Sequence, residues 1–236
     1  MSFGLSVESL DQRILIDESH PAVFFKGKYT TTNTYGLKTV TITDCNTMPI
    51  VFAKNLGSGY KISTPQITYN GGTSWTIGVF AGNDSSDGYY SGTVDLYVFD
   101  ILGQSDNVNY GYGMNVYNES GQAIFTTNKK PLKISGYHTT TQVFNSAVNE
   151  FNFSIQTVTN GAIPETCAIS CSAIGTSLVS RGGIGRFFTH GVRRYSSSSL
   201  KFGIVGFLGQ GPNPSGAENR LSGNQHIMFV DYTLYD

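Results

Sequence analysis

Charge is scarce in this chain: Lys, Arg, Asp and Glu make up 13% of its 236 residues, and the formal net charge is −1. A surface of that kind sets up no general field for phosphate backbones, so nucleic acid is not an expected partner. Cysteine is scarcer still. The three thiols, Cys45, Cys167 and Cys171, are odd in number and their spacings are unlike a disulfide framework, which predicts free, buried side chains. Cys167 and Cys171 in one strand would stand about 13 Å apart at about 3.3 Å per residue, too far for a bridge. The histidines, His20, His138, His190 and His226, are scattered and none lies near a thiol in sequence, so no zinc set is expected. No apolar run approaches the length of a membrane helix, which predicts no membrane span. Met1-Ser2-Phe3-Gly4 opens without a basic stretch and apolar core of a signal peptide, which predicts synthesis and assembly in a cytoplasm. Gly-x-Ser-x-Gly, phosphate-loop and His-Glu-x-x-His motifs are lacking, so neither an enzyme nor a cofactor is expected.

What the chain has instead is 28 Gly and 13% aromatic residues, with 14 Tyr and 15 Phe. With Ser, Thr and Asn supplying most of the remaining polarity, this mixture favours strands and turns over exposed helices. Apolar and polar residues alternate along Leu37–Thr43, Tyr60–Ser63 and Phe151–Val158, the pattern of antiparallel strands with one face on a core and the other in water. Asn70-Gly71-Gly72, Gly82-Asn83-Asp84, Ser120-Gly121 and Asn160-Gly161 supply turn signals between them. Thr139–Asn149 is the least strand-like stretch and would suit a short helix.

A short pattern occurs twice. Phe3-Gly4-Leu5-Ser6-Val7, then Leu15-Ile16 and Pro21, is matched by Tyr112-Gly113-Met114-Asn115-Val116, then Ile124-Phe125 and Pro131. The closing segments Val94–Asp100 and Val230–Asp236 also align without a gap. The expected fold is therefore all-β: two tandem, duplicated antiparallel β-sandwich-like domains, residues 1–100 and 112–236, joined by a linker at 101–111. The second copy is longer, and Gly209–Asn224, with Pro212, Asn213 and Pro214, reads as a long surface loop of the kind that carries function.

Few constellations carry chemistry. Asn83–Gly88 resembles a calcium loop, but its twelfth position is Val94 where a bidentate carboxylate is needed, so a polar turn is the simpler reading. Asp17 with Glu18, Asp84 with Asp87, and Asp95 with Asp100 are formal candidates for an acid pair, which only their separation in space can decide. The strongest local interaction candidate is Arg181, Arg186, Phe187, Phe188, Arg193, Arg194 and Tyr195, where four of six arginines fall within fourteen residues. Arginine beside aromatic rings suits acidic sugars, envelope phosphates or the carboxylates of another subunit, and a hairpin with locally paired arginines is the plainer alternative.

The run Tyr112–Phe125 followed by Pro131-Leu132 resembles the minor tail and tail-tip proteins of long-tailed bacteriophages. Their modules open with an aromatic-Gly-aliphatic-x-Val strand, a tight turn, a second strand and a Pro-aliphatic stretch. The first copy departs from this at Leu10-Asp11-Gln12. The resemblance implies a structural virion protein of the tail tip, made in the host cytoplasm. Its expected partners are other phage tail proteins and further copies of itself around an axis, three being the expected number, with a host surface receptor or glycan at the outward loops. A carbohydrate-binding module or adhesin explains the same pattern, and a polysaccharide depolymerase would need paired acids in a groove.

Overall fold

The computed structural model describes residues 4–8, 13–17, 21–32, 36–56, 59–83, 90–103, 112–140, 155–158, 160–171, 176–181, 184–212, 219–220 and 225–236. Its strands are β1 (Gly4–Glu8), β2 (Arg13–Asp17), β3 (Val23–Thr30), β4 (Leu37–Ile42), β5 (Ile50–Lys54), β6 (Tyr60–Ser63), β7 (Gln66–Gly71), β8 (Ser74–Asn83), β9 (Asp95–Ile101) and β10 (Asn115–Tyr117). They continue with β11 (Ala123–Thr126), β12 (Gly136–Thr140), β13 (Ile155–Thr157), β14 (Asn160–Gly161), β15 (Cys167–Cys171), β16 (Thr176–Arg181), β17 (Ile184–Arg194), β18 (Ser199–Pro212), β19 (Asn219–Arg220) and β20 (Gln225–Asp231). A 3-10 turn, Tyr232–Leu234, follows. The fold is all-β with several antiparallel sheets, as composition and alternation predict.

Two large sheets dominate. One has the order β14-β12-β20-β15-β5-β9-β3; the other runs β13-β18-β17-β6-β8-β4, with β7 beside β8, β16 beside β17 and β19 beside β16. Alternation sets what lies between them. Val51, Ala53, Leu96 and Val98 of the first sheet meet Ile42, Ile62, Ile77, Val79 and Ala81 of the second in one buried core. Cys167, Ile169, Ile227 and Phe229 meet Val192, Leu200 and Phe202 in another. Fully burying each Val, Leu, Ile or Phe among them contributes about 1.5–3 kcal/mol relative to leaving it exposed.

The intervening residues of the same strands point the other way and are buried too. Phe52, Tyr97, Phe99, Ala168 and Val230 form a third core, closed by Tyr235 with Leu132 and Tyr232 packed against it. Tyr235 stands edge-on to Phe99 at 4.8 Å and lies 5.2 Å from Phe25. Its hydroxyl accepts from Lys133 N at 2.8 Å and donates to Pro131 O at 3.1 Å. The seven-stranded sheet is thus covered on both faces over its centre.

Strands from both ends of the chain share both sheets. β15 pairs with β5 through Ala168↔Lys54 and Ile169↔Ala53, and β17 pairs with β6 through Gly191↔Ser63 and Val192↔Ile62. Glycine permits the second junction. A Cβ on Gly191 would stand 2.6 Å from Ile62 O, and one on Gly82 would overlap the backbone carbonyl of Val205, which crosses there. Outward from the junctions, the first sheet reads β5, β9, β3 on one side and β15, β20, β12 on the other; the second reads β6, β8, β4 and β17, β18, β13. The hairpins β1–β2 and β10–β11 form separate two-stranded sheets, with β1 against β10 and β2 against β11. The edge of β3 is met by the segment before β12: Phe25 N donates to Lys130 O, Leu132 N donates to Val23 O, and Phe24 bridges Pro131.

Four expectations need correction. The gapless match of Val94–Asp100 to Val230–Asp236 is not an equivalence in space. Val94 faces the first sandwich core whereas Val230 faces the third core, and the chain leaves the strand at Asp231 while β9 continues to Ile101. A one-residue slip exchanges the faces of a strand, so the alignment pairs opposite sides. Along Tyr60–Ser63 the polar positions are not in water, since Lys61 and Ser63 are buried where β18 packs on β6 and β8, and Ser63 Oγ accepts from Phe80 N at 3.0 Å. Thr139 and Thr140 belong to β12, not to a helix, and 141–150 lie outside the described residues. The Gly209–Asn224 loop begins as strand: Gly209, Gln210, Gly211 and Pro212 continue β18 against β17. Proline is tolerated there because it closes the strand, where no further ladder N–H is needed.

Candidate interaction surface

The arginine-aromatic segment is built on one long strand, and the strand pulls it apart. β17 runs from Ile184 to Arg194, so at about 3.3 Å per residue Arg186 and Arg193 are separated by about 23 Å. Two groups result. Arg181 closes β16 opposite Ile184, which pairs on its other side with Pro212; Arg186 lies between Val179 and Gln210; Phe187 lies between Leu178 and Gly209; Phe188 lies between Ser177 and Phe207. These residues sit in a β-arm of β16, the first part of β17, the later part of β18, and β19, which adds through Thr176↔Arg220 and Ser177↔Asn219. Asn213 and Pro214 lie outside the described residues.

The other group, Arg193, Arg194 and Tyr195, sits at the opposite end of β17 and is built into the sandwich. Arg193 is buried; its Nη1 donates to Arg194 O at 3.0 Å and its guanidinium lies 5.6 Å from the Tyr195 ring centre. Arg194 Nε donates to Ile163 O at 3.3 Å, and its backbone N–H donates to Asn55 Oδ1 at 3.4 Å. Asn55 N in turn donates to Cys167 O at 3.0 Å, so Arg194 fastens the β5–β15 junction. Burial pushes the Cys167 thiol up to about 12, against the opposing pull of the Arg194 charge. Tyr195 is 51% exposed and Arg194 is partly exposed. Tyr195 N and Ser196 N both donate to Ser199 O, which closes the turn between β17 and β18.

The candidate acid pair Asp95 and Asp100 sits at two ends of β9, about 16 Å apart along the strand, beyond the separation of a glycosidase pair. Each is committed locally. Asp95 Oδ1 accepts from Thr30 Oγ1 at 2.8 Å, and its Oδ2 lies 3.8 Å from both Lys28 Nζ and Lys54 Nζ. Asp100 is buried and accepts from Asn46 N, Thr47 Oγ1 and Ile101 N, holding the loop before β5. Sequence reasoning missed Asp236, whose Oδ1 accepts from Lys28 Nζ at 2.7 Å and from Tyr97 OH at 3.0 Å. The Lys28 hydrogen bond holds its carboxyl below the usual carboxylate range, while burial and the Asp236 bond push the Tyr97 phenol up. Residue spacing carries no sign of that contact, which spans 208 positions.

Among the described residues, no group of three or more His, Cys, Asp and Glu is placed to hold a metal ion. No helix among them is long and apolar enough to cross a membrane. Exposed large side chains gather on the β10–β11 hairpin, where Tyr112 is fully exposed and Met114 and Tyr117 are more than two-fifths exposed. Comparison with known protein families, with curated proteins and with solved structures finds no match to the chain.

Proposed function

We propose that this chain is a structural virion protein of a bacteriophage tail tip, made from a duplicated hairpin-plus-sandwich unit and working through contact surfaces. The observation that carries the reading is the strand order about the junctions. β3, β4, β5, β6, β8 and β9 have counterparts in the same chain order in β12, β13, β15, β17, β18 and β20, and counterparts pair with each other, antiparallel, at β5/β15 and β6/β17. Two copies of one unit related by a twofold axis would produce this order. The hairpins β1–β2 and β10–β11, which hold the repeated aromatic-Gly-aliphatic pattern that resembles phage tail modules, also meet counterpart to counterpart.

On this reading the first copy docks on other tail proteins, and the second presents its β-arm and the residues around Pro212 outward, with several copies, three being the expected number, around the tail axis. Exposed Tyr112, Met114 and Tyr117 suit a protein interface, because tyrosine and methionine offer large apolar area. Immunogold labelling of purified virions, with mass spectrometry of their tails, tests the proposal. Label at the distal tail end is expected, and particles lacking the chain would refute it.

A second reading, a carbohydrate-binding module or adhesin, is favoured by one sheet face. Thr41, Thr76 and Thr68 stand in a row across β4, β8 and β7; Thr41 Oγ1 is 3.2 Å from Thr76 Oγ1, and Asn70 Nδ2 donates to Thr76 Oγ1 at 2.9 Å. This uncharged face of hydroxyls and an amide offers hydrogen-bond partners to a neutral sugar, while Tyr69, tilted against Trp75 at 4.9 Å, belongs to the opposite face of the same strands. Saturable binding on a glycan array that is lost in Thr41→Val/Thr76→Val would favour it over a scaffold role.

A further inference from the structure

β8 carries β4 on one side and β7 on the other, and among the described residues no strand or segment pairs with the far side of β7. Other edges are met. Thr32 N and Thr32 Oγ1 both donate to Thr39 O beyond β4, and residues 130–132 lie along β3. In β7, by contrast, Thr68, Tyr69 and Asn70 are exposed, Tyr69 by 58%. A sheet edge presents a row of backbone N–H and C=O groups, and proteins blunt it with charged side chains or with proline. Gln66–Gly71 contains neither, and its Ile, Thr and Tyr favour extended backbone. The edge is a template for a further strand.

The strand that fits it best is β7 itself. In an antiparallel pair, opposed residues both turn their backbone groups into the ladder or both turn them away, so a twofold axis runs between the two copies of a single residue. An axis at Ile67 would set Pro65, which has no N–H, against Tyr69; an axis at Tyr69 would set Gly71, whose φ of 108° leaves the strand, against Ile67. An axis at Thr68 avoids both. Thr68 then faces Thr68 of the second copy, Ile67 faces Tyr69, and Gln66 faces Asn70. The two faces agree, because Ile67 and Tyr69 share the side of Ile77 and Trp75, while Thr68 and Asn70 share the side of Thr76. Exposed Tyr69 gains an aliphatic neighbour, amide meets amide, and no like charges are opposed. About four to six ladder hydrogen bonds form. We infer that β7 of one copy pairs with β7 of a second copy, antiparallel about a twofold axis at Thr68, joining the nine-stranded sheets of two chains into one. The contact stands apart from the tail-tip reading: it is self-complementary and links two chains, whereas copies around a tail axis meet through a different, cyclic contact.

Sedimentation velocity of the full chain over a concentration series tests it, and a monomer–dimer equilibrium is expected. Thr68→Lys and Thr68→Asp each set like charges face to face at an exposed position, so each alone should weaken dimerisation about tenfold or more with an unchanged circular dichroism spectrum. Mixed at equal concentration, the two should form a heterodimer, because the opposed charges now differ in sign. Only a contact in which position 68 meets its own copy gives that reversal, which also separates the contact from damage to the fold. Thr68→Cys in a Cys171→Ser background should oxidise to a disulfide-linked dimer, since opposed residues of an antiparallel pair hold their Cα atoms about 4.5–5.5 Å apart. Thr73→Cys, exposed and beyond the strand, is the control and should lag. A chain that stays monomeric throughout would leave the edge to an extended segment of another protein and would overturn the inference. So would dimerisation unmoved by both charged variants, a mixture no tighter than its components, or a Thr68→Cys dimer that forms no faster than the control.

Discussion

Replacing Tyr235 tests whether the outer face of the seven-stranded sheet is a true core. The ring is 5% exposed and contacts Phe99 and Phe25, while its hydroxyl serves both Lys133 N and Pro131 O. Tyr235→Phe keeps the ring but strands a buried N–H and a carbonyl, a cost of about 1–3 kcal/mol. Tyr235→Ala also removes the ring and leaves a cavity between the two segments that close the sheet, about 3–5 kcal/mol. With a slope of about 2–3 kcal/mol per molar urea for a chain of this size, the midpoint should fall by about 0.3–1.5 M for Phe and about 1–2.5 M for Ala. Tyr112→Ala, at a fully exposed ring, is the control and should stay within about 0.5 kcal/mol. Urea unfolding followed by tyrosine and tryptophan fluorescence supplies the numbers. If Tyr235→Ala behaves like Tyr112→Ala, the third core does not contribute and the reasoning fails.

Gly191→Ala should cost about 1–3 kcal/mol or more, because its Cβ would press on the Ile62 carbonyl where the halves join; a melting temperature equal to the parent's would contradict that account. Asp236→Asn should destabilise at neutral pH. Since Lys28 lowers the folded carboxyl relative to its ordinary 3.8, the gap between parent and variant should be complete above about pH 4 and close as pH falls through the lowered value; a gap that persists at pH 2 would be the wrong sign. In a Cys171→Ser background, Cys45 and Cys167 should resist a disulfide reagent at pH 8 until denaturant is added, since both are buried and Cys167 titrates near 12; rapid native labelling would refute the burial.

Much of the local structure was legible because it follows from local chemistry. Leu37–Ile42 is β4, with Ile42 buried and Thr41 exposed as alternation requires, and Asn70-Gly71-Gly72 turns β7 into β8 with φ of 108° and 62° at its glycines. The third core was readable in a signal of another kind. Ile50–Ala53, Leu96–Phe99 and Ile227–Val230 are unbroken apolar runs, which mark strands buried on both faces rather than one. The β5/β15 and β6/β17 pairings were not readable, because a ladder between residues more than a hundred positions apart leaves no trace in spacing. The arginine candidate is one cluster in sequence and two groups in space for a geometric reason: residues close in sequence are far apart once extended, so Arg186 and Arg193 part while Arg194 bonds to Ile163.

The shared ladders also bear on what happens when the backbone is cut. Opening the chain between Leu102 and Tyr112 would sever a covalent tie but neither β5–β15 nor β6–β17, and Pro131 would still lie on Phe24. The two pieces would stay associated, each supplying strands that the other's sheets lack, so a nicked molecule would keep its shape and the separated fragments would recover it only on meeting again.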